Sequence, residues 1–292
     1  MECPEYPDES ECCNSGCNPC IFDVYVAQLE KYKKSQLEGS TPKENCLKEL
    51  KYVPFKLINI INDSLRTNIY IFEYISEFSS DKQVFYEPGQ HLLIKKQSNV
   101  DQSDFTRAYT PIPWENLAGN QFAVLIKLYD DGDMSQCIKR LKIGDETIWR
   151  GPYGDYTIDY TLNCILMIAQ GTGIAPLLAI IKKVLENDEC ETRMKLIYCC
   201  RDFEQIHLRN EVYKLLDYWN FKYELFLSAS GLDLDEIKYG EVVNAKKLEE
   251  NDLKSILEQE NWSQVLICGN EKFSKSIKDV IQQNSTVFVH TF

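Results

Sequence analysis

The chain has 292 residues, of which 44% are hydrophobic, 26% charged and 12% aromatic, so it is long enough for two domains with cores of their own and too apolar to stay disordered. Its net charge of −13 excludes a general nucleic-acid surface, which needs basic side chains to displace counterions. No run approaches the ~20 apolar residues of a membrane span and the start MECPEYPDESECC is acidic, unlike a signal peptide, so a cytoplasmic protein with no membrane span of its own is expected.

Charge is unevenly spread. Residues 1–50 carry 5 basic and 10 acidic side chains, 51–155 carry 12 and 14, and 156–292 carry 15 and 21. The middle segment is the least acidic, and an acidic partner is expected to dock there. Five of the twelve cysteines lie within the first twenty residues, ahead of a short amphipathic helix in which Phe22, Tyr25, Val26 and Leu29 share a face. Gly39 and Pro42 end this unit, so 1–48 reads as a small Cys-rich module. From Tyr52 the apolar period becomes two in YVPFKLINIIND, NIYIFEYIS, HLLIKK and QFAVLIKLYDD, which predicts an antiparallel barrel or sandwich over 51–156. Over 157–292 strands alternate with helices: CILMIA with PLLAIIKKVLEN, MKLIYCC with HLRNEVYKLLDYW, then FKYELFLS, QVLICG with EKFSKSIKDVIQQ, and TVFVHTF. That alternation predicts a parallel sheet covered by helices.

Several short segments carry chemistry. In CILMIAQGTGIAPLLAI a strand runs into Gly171-Thr172-Gly173 and out into a helix, and two glycines let backbone N–H groups approach a phosphate. The dinucleotide pattern G-x-G-x-x-G has Pro176 in its third place, and the segment alone is equally a strand–turn–helix unit without a ligand. In RAYTP, Arg107 and Tyr109 share a strand face. A guanidinium donates two parallel hydrogen bonds to an anion such as a pyrophosphate, although an ordinary strand also tolerates an exposed Arg. Gly132 precedes Asp133, Met134 and Ser135 at a helix start, where backbone N–H groups and the Ser135 hydroxyl suit a phosphate, a plain helix cap or both. Leu125, Lys127 and Tyr129 alternate along the strand before it; taken alone, Lys127 is a surface lysine.

In chain order, RAYTP, IKLYDDGDMSQCI, WRGPYG and AQGTGIAPL resemble the ferredoxin-reductase-like flavoprotein family, and within it the NADH-cytochrome b5 reductases, over about Tyr52 to Phe292. The resemblance implies a β + α/β chain: an antiparallel FAD-binding β-barrel, then a parallel-sheet nicotinamide-nucleotide-binding domain. It implies that Arg107, Ala108, Tyr109 and Thr110 meet FAD, with the Thr110 hydroxyl directed at the hydride-accepting nitrogen. By the same resemblance Leu125, Lys127 and Tyr129 line the flavin, Lys127 also nears the nicotinamide, and Asp133, Met134 and Ser135 hold the FAD phosphates. Gly171, Thr172 and Gly173 would bind NADH, with NADPH also open, and Cys268 and Gly269 of LICGN would close over the nicotinamide. Thr110, Lys127 and Cys268 are then the candidate catalytic residues. The family also places a C-terminal aromatic, here Phe292, near the flavin. From the residues alone, Cys268 is equally a buried small side chain and Phe292 a core plug.

The implied activity is that of an oxidoreductase taking hydride from NADH to FAD and passing single electrons to cytochrome b5 or a similar acceptor, through which the protein would also reach a membrane. An iron–sulfur or quinone acceptor, or a catalytically weak flavoprotein serving as a binding or assembly factor, are the alternatives. Lys95, Lys96, Lys139, Arg140 and Lys142 form the expected docking rim. Three positions depart from the family pattern. Pro113 replaces a serine of the flavin motif, Gln170 replaces a glycine before the turn, and Ser228-Ala229-Ser230 stands where NADH-specific relatives keep an acid. Arg201 is placed to meet a 2′-phosphate, as an Arg does in NADP sites. At the amino terminus, CCNSGCNPC resembles the oxidoreductase-like amino-terminal domain. Cys12, Cys13, Cys17 and Cys20 are close enough to share a metal, with redox thiols or a packed motif as the other readings.

Overall fold

From Val53 to Leu57 alternate residues turn inward: Val53, Phe55 and Leu57 are buried while Pro54 and Lys56 face solvent, as a half-buried strand requires. The computed structural model describes residues 4–7, 19–38, 45–75, 82–95 and 105–292, which fall into two compact units.

The first unit comprises Met1–Ile61, Ile69–Val124 and Leu128–Asp155. Its strands are β1 (Val53–Ser64), β2 (Thr67–Tyr74), β3 (His91–Lys95), β4 (Thr106–Tyr109), β5 (Pro111–Ile112), β6 (Gln121–Lys127) and β7 (Glu146–Tyr153). They form one sheet in the order β4-β3-β7-β1-β2-β6-β5, and β1–β7, β3–β4, β3–β7 and β5–β6 pair antiparallel. β4 and β5 lie at opposite ends of this order yet are consecutive in sequence, so the two sheet edges meet at Thr110 in the manner of a barrel. Inside, Phe55, Phe72, Phe122 and Trp149 are fully buried. Phe122 has ring centroids 5.0 Å from both Phe55 and Trp149 in edge-on contacts, a favoured aromatic geometry.

Helix α1 (Ile21–Glu38) also belongs to this unit, and it corrects the expected face. Ile21 and Val24 are buried, Val24 packing with Leu93 and Tyr153, whereas Val26 is 56% exposed. Phe22 and Tyr25 are covered instead by Tyr6, whose ring lies 5.8 and 5.1 Å from theirs. Helix α2 (Asp133–Arg140) completes the unit.

The second unit comprises Asn62–Asn68, Leu125–Lys127 and Tyr156–Phe292. Strands β8 (Cys164–Gln170), β9 (Arg193–Cys200), β10 (Phe221–Leu227), β11 (Val242–Asn244), β12 (Gln264–Cys268) and β13 (Phe288–Thr291) form a parallel sheet in the order β11-β10-β9-β8-β12-β13. Ile165, Leu166, Met167 and Ile168 are all fully buried, because a central parallel strand is covered on both faces. The helices are α3 (Ile174–Leu185), α4 (Arg209–Lys214), α5 (Glu250–Glu258) and α6 (Glu271–Asn284). The helix expected from His207 to Trp219 is shorter: Leu208 takes a left-handed φ of 54°, α4 starts after it, and a 3-10 turn runs over Leu215–Asp217. Helix α5 has no counterpart in the sequence reading. It opens on a reciprocal cap between Glu249 and Asp252, acids in place of the Ser or Thr that usually marks a helix start. The strand order reverses between β8 and β12, and in such sheets ligands bind beyond the carboxyl ends of the strands at that switch point. Among the described residues no helix is long and apolar enough to cross a membrane.

Candidate active site

In the first unit, β4 presents Arg107 and Ala108 to solvent. The Arg107 guanidinium donates to the Thr106 carbonyl at 2.9 Å and lies 5.4 Å from the Phe105 ring centroid. Tyr109 is half-buried and edge-on to Trp149 at 6.2 Å, so the aromatic core holds its ring plane. Burial raises the pKa of its phenol, which stays protonated and able to donate. Thr110 is half-buried at the seam between the sheet edges.

The start of α2 leaves backbone N–H groups able to meet an anion. Its N-cap is Gly132 and no side chain caps it, so the first-turn N–H groups lack the acceptor that a Ser or Asp cap would supply. Ser135 is buried and its Oγ accepts from Tyr129 N at 2.9 Å, which leaves the hydroxyl proton free to be donated. This bond turns the chain after β6, so Tyr129 lies beyond the strand and is 58% exposed, not in line with Leu125 and Lys127. Met134 is buried, whereas Asp133 is exposed and offers its backbone N–H. An exposed guanidinium, an uncapped helix start and a hydroxyl donor suit the pyrophosphate of FAD, and Tyr109 offers an aromatic face for its ring or ribityl chain.

In the second unit a cleft of about 540 Å³ opens at the carboxyl ends of β8, β9, β10 and β12. Gly171 forms part of its wall, with φ +55° and open space within 4 Å of where a Cβ would stand. Its carbonyl accepts from Tyr198 Oη at 3.0 Å. Gly173 is needed for another reason: an added Cβ would lie 2.3 Å from the Cys268 carbonyl oxygen. Thr172 is half-buried between them, and α3 then begins without a side-chain cap. Pro176 falls in the first turn of α3, where its missing N–H costs no helical bond. A bare glycine turn leading into an uncapped helix fits a nucleotide phosphate.

The rest of the cleft wall comes from separate segments of the second unit. Lys127 lines it and donates to Gln205 Oε1 at 3.3 Å. Gln170 lines it too, with its amide oxygen accepting from Asn270 Nδ2 across the switch point. Cys268 and Gly269 are half-buried at the end of β12, and burial pushes the Cys268 thiol up to about 12, so it stays protonated. Phe292 donates its backbone N–H to Ile267 O at 3.0 Å, while its ring packs 5.3 Å from Tyr156 and 4.6 Å from His290. His207, unmarked by any local motif, is fully buried and also lines the cleft. Its Nδ1 is 2.5 Å from Ser64 Oγ, which itself donates to Asp63 Oδ2 at 2.8 Å. Of the proposed metal ligands, Cys12, Cys13 and Cys17 lie outside the described residues, and Cys20 is half-buried. Among the described residues no group of three His, Cys, Asp or Glu side chains is placed to hold a metal.

Comparison with known proteins agrees with both halves. Residues 54–158 match the oxidoreductase FAD-binding domain, 167–279 the oxidoreductase NAD-binding domain, and 2–40 the oxidoreductase-like protein N-terminal domain. The chain is therefore an oxidoreductase that uses FAD and NADH. It is 32% identical to a human protein named NADH-cytochrome b5 reductase-like over 94% of this chain and 89% of the relative, and 33% identical to a mouse protein of the same name over 77% and 73%. It belongs to the NADH-cytochrome b5 reductase-like family. In fold it is similar to the CS-b5R domains of human Ncb5or (NAD+ form), with TM-score 0.69 at 21% identity over 83% of this chain and 69% of that one. The cytochrome b5 reductase domain of Ulva prolifera nitrate reductase gives 0.67 at 20% over 86% and 100%.

Proposed function

We propose that this chain delivers electrons singly from NADH, by way of FAD, to cytochrome b5 or a similar one-electron acceptor protein. The observation that carries the reading is the alignment with the human relative along 94% of the chain, which takes in both cofactor domains. Bound FAD supplies the step from two-electron hydride chemistry to single-electron release, and the protein supplies binding and alignment. Arg107, the first turn of α2 and the Ser135 hydroxyl hold the phosphates, with Tyr109 against the ring and Thr110 and Tyr129 around it. On the nucleotide side Gly171, Thr172 and Gly173 take the pyrophosphate, Cys268 and Gly269 support the turn, and Lys127 orients the nicotinamide end. Cys268 keeps its proton and acts by shape. In this reading the protein works in the cytoplasm and is recruited to a membrane through its acceptor.

Anaerobic stopped-flow mixing tests this reading. Yellow protein should bleach with NADH, and the reduced protein should then reduce cytochrome b5 with one-electron stoichiometry. Bleaching without transfer to cytochrome b5 would redirect the assignment to an iron–sulfur or quinone acceptor. Colourless protein inert to NADH would leave only a binding or assembly role.

A further inference from the structure

Resting on the reading that the β8 turn binds a nicotinamide nucleotide, we infer that the same cleft carries a subsite for a 2′-phosphate, so that the chain takes NADPH as well as NADH. In a strand–turn–helix–strand unit the glycine turn takes the pyrophosphate, and the adenosine ribose lies beyond the carboxyl ends of the strands that follow, the second and the third. An acid there reads a free 2′-hydroxyl, whereas an Arg accommodates a 2′-phosphate. In this chain the second strand is β9, and Arg201 follows its last residue. The Arg201 side chain is 75% exposed, and among the described residues its ion-pair contact is with Asp202 at 3.8 Å. Asp202 itself is occupied elsewhere, accepting from both Gln205 N and Gln205 Nε2 at the start of the Phe203–Gln205 turn.

The neighbouring strand completes the arrangement. Backbone bonds from Ser228 N to Cys200 O at 3.1 Å and from Ala229 N to Arg201 O at 2.8 Å extend the pairing of β9 and β10 past their ends, which sets Ser228 beside Arg201. Lys247, just after β11, and Lys272, at the start of α6, are exposed and line the same cleft. Phe226, Leu248 and Phe273 add apolar wall for an adenine ring. Among the described residues lining the cleft there is no Asp or Glu, although residues 156–292 carry 21 acids against 15 bases. Arg201, Lys247, Lys272 and the Ser228 hydroxyl line one cleft of an otherwise acidic unit, and with no Asp or Glu among its described lining residues they match a dianionic ester better than a 2′-hydroxyl.

Equilibrium calorimetry on the FAD-loaded full chain, with 2′,5′-ADP and 5′-AMP as probes, reads the subsite without turnover. The expected result is that 2′,5′-ADP binds about tenfold tighter or better at low salt, the size expected of charge-assisted bonds, and that the advantage shrinks as salt is added. In the double variant Arg201→Ala/Lys247→Ala the advantage should fall to about one while 5′-AMP still binds. Equal affinities in the native chain, or an advantage that survives the double substitution, overturn the subsite. Where that happens in protein whose flavin NADH still bleaches, the parent reading stands; a chain that binds neither probe and is not bleached by NADH overturns both.

Discussion

His207 is fully buried, and burial, aided by the nearby positive charge of Lys127, lowers its pKa to about 4. Because Ser64 Oγ donates to Asp63, it accepts from His207 Nδ1–H, so the neutral ring keeps its lone pair on Nε2. The folded chain thus refuses a proton that the unfolded chain takes up near the ordinary histidine value of ~6.5. Between those two values the unfolded state binds more protons. The contribution is complete above pH ~6.5 and is lost as pH falls towards 4, roughly 3 kcal/mol in all. Asp63, whose pKa burial raises, acts in the opposite sense over its own acid range. Replacing His207 with Leu should therefore flatten the fall in Tm between pH 6.5 and 4; an unchanged slope in calorimetry would show that this imidazole is not the group responsible. The position carries no local signature. Its chemistry comes from Asp63 and Ser64, which lie more than a hundred residues earlier in the chain.

The turn after β8 illustrates how one element combines two requirements. Gly171 needs its freedom of conformation, at φ +55°, and has open space around it; Gly173 has an ordinary helical φ of −62° but no room. Alanine at Gly171 should cost about 1 kcal/mol of backbone strain. Alanine at Gly173 must push against a carbonyl and should cost about 1–3 kcal/mol or more. At about 2–4 °C per kcal/mol for a unit of this size, Gly173→Ala should lower Tm several degrees further than Gly171→Ala and should weaken binding of NADH. Parallel melting curves and nucleotide titrations of the two variants check this, and equal Tm losses would mean that β12 yields to make room. Both glycines stand out in the sequence, but their different duties do not: the obstacle to a side chain at Gly173 is Cys268, brought to it by the crossover that sets β12 beside β8.

At the scale of the molecule, a net charge of −13 opposes encounter with an acidic acceptor unless a basic face guides it. Arg140 and Lys142 are exposed at the end of α2 and just beyond it. Lys139 is partly neutralised by Asp130 at 3.6 Å, which weakens the expected rim at its centre, and Lys96 lies outside the described residues. If the remaining cations steer cytochrome b5, its rate of reduction should fall as ionic strength rises from about 0.02 to 0.2 M, over which the screening length contracts from roughly 20 Å to less than 10 Å. Stopped-flow traces across a salt series decide the point, and a flat response would remove this face as the docking surface.

The sequence by itself determined the succession of an antiparallel and a parallel sheet, the glycine turn, and the family, because strand period, glycine placement and motif order are local properties that survive without a fold. Where a face is chosen among near-equivalent apolar residues, as in α1, periodicity is insufficient: Ile21 and Val24 are the buried ones, and Val24 packs against Leu93 and Tyr153. The cleft is a tertiary product altogether. Gln170 meets Asn270 from 100 residues away, and Lys127, His207 and Lys247 reach the same opening from separate segments. Parallel strands expose their carboxyl ends on one side whatever their spacing in sequence, so only the order of the sheet could say which strand ends become neighbours.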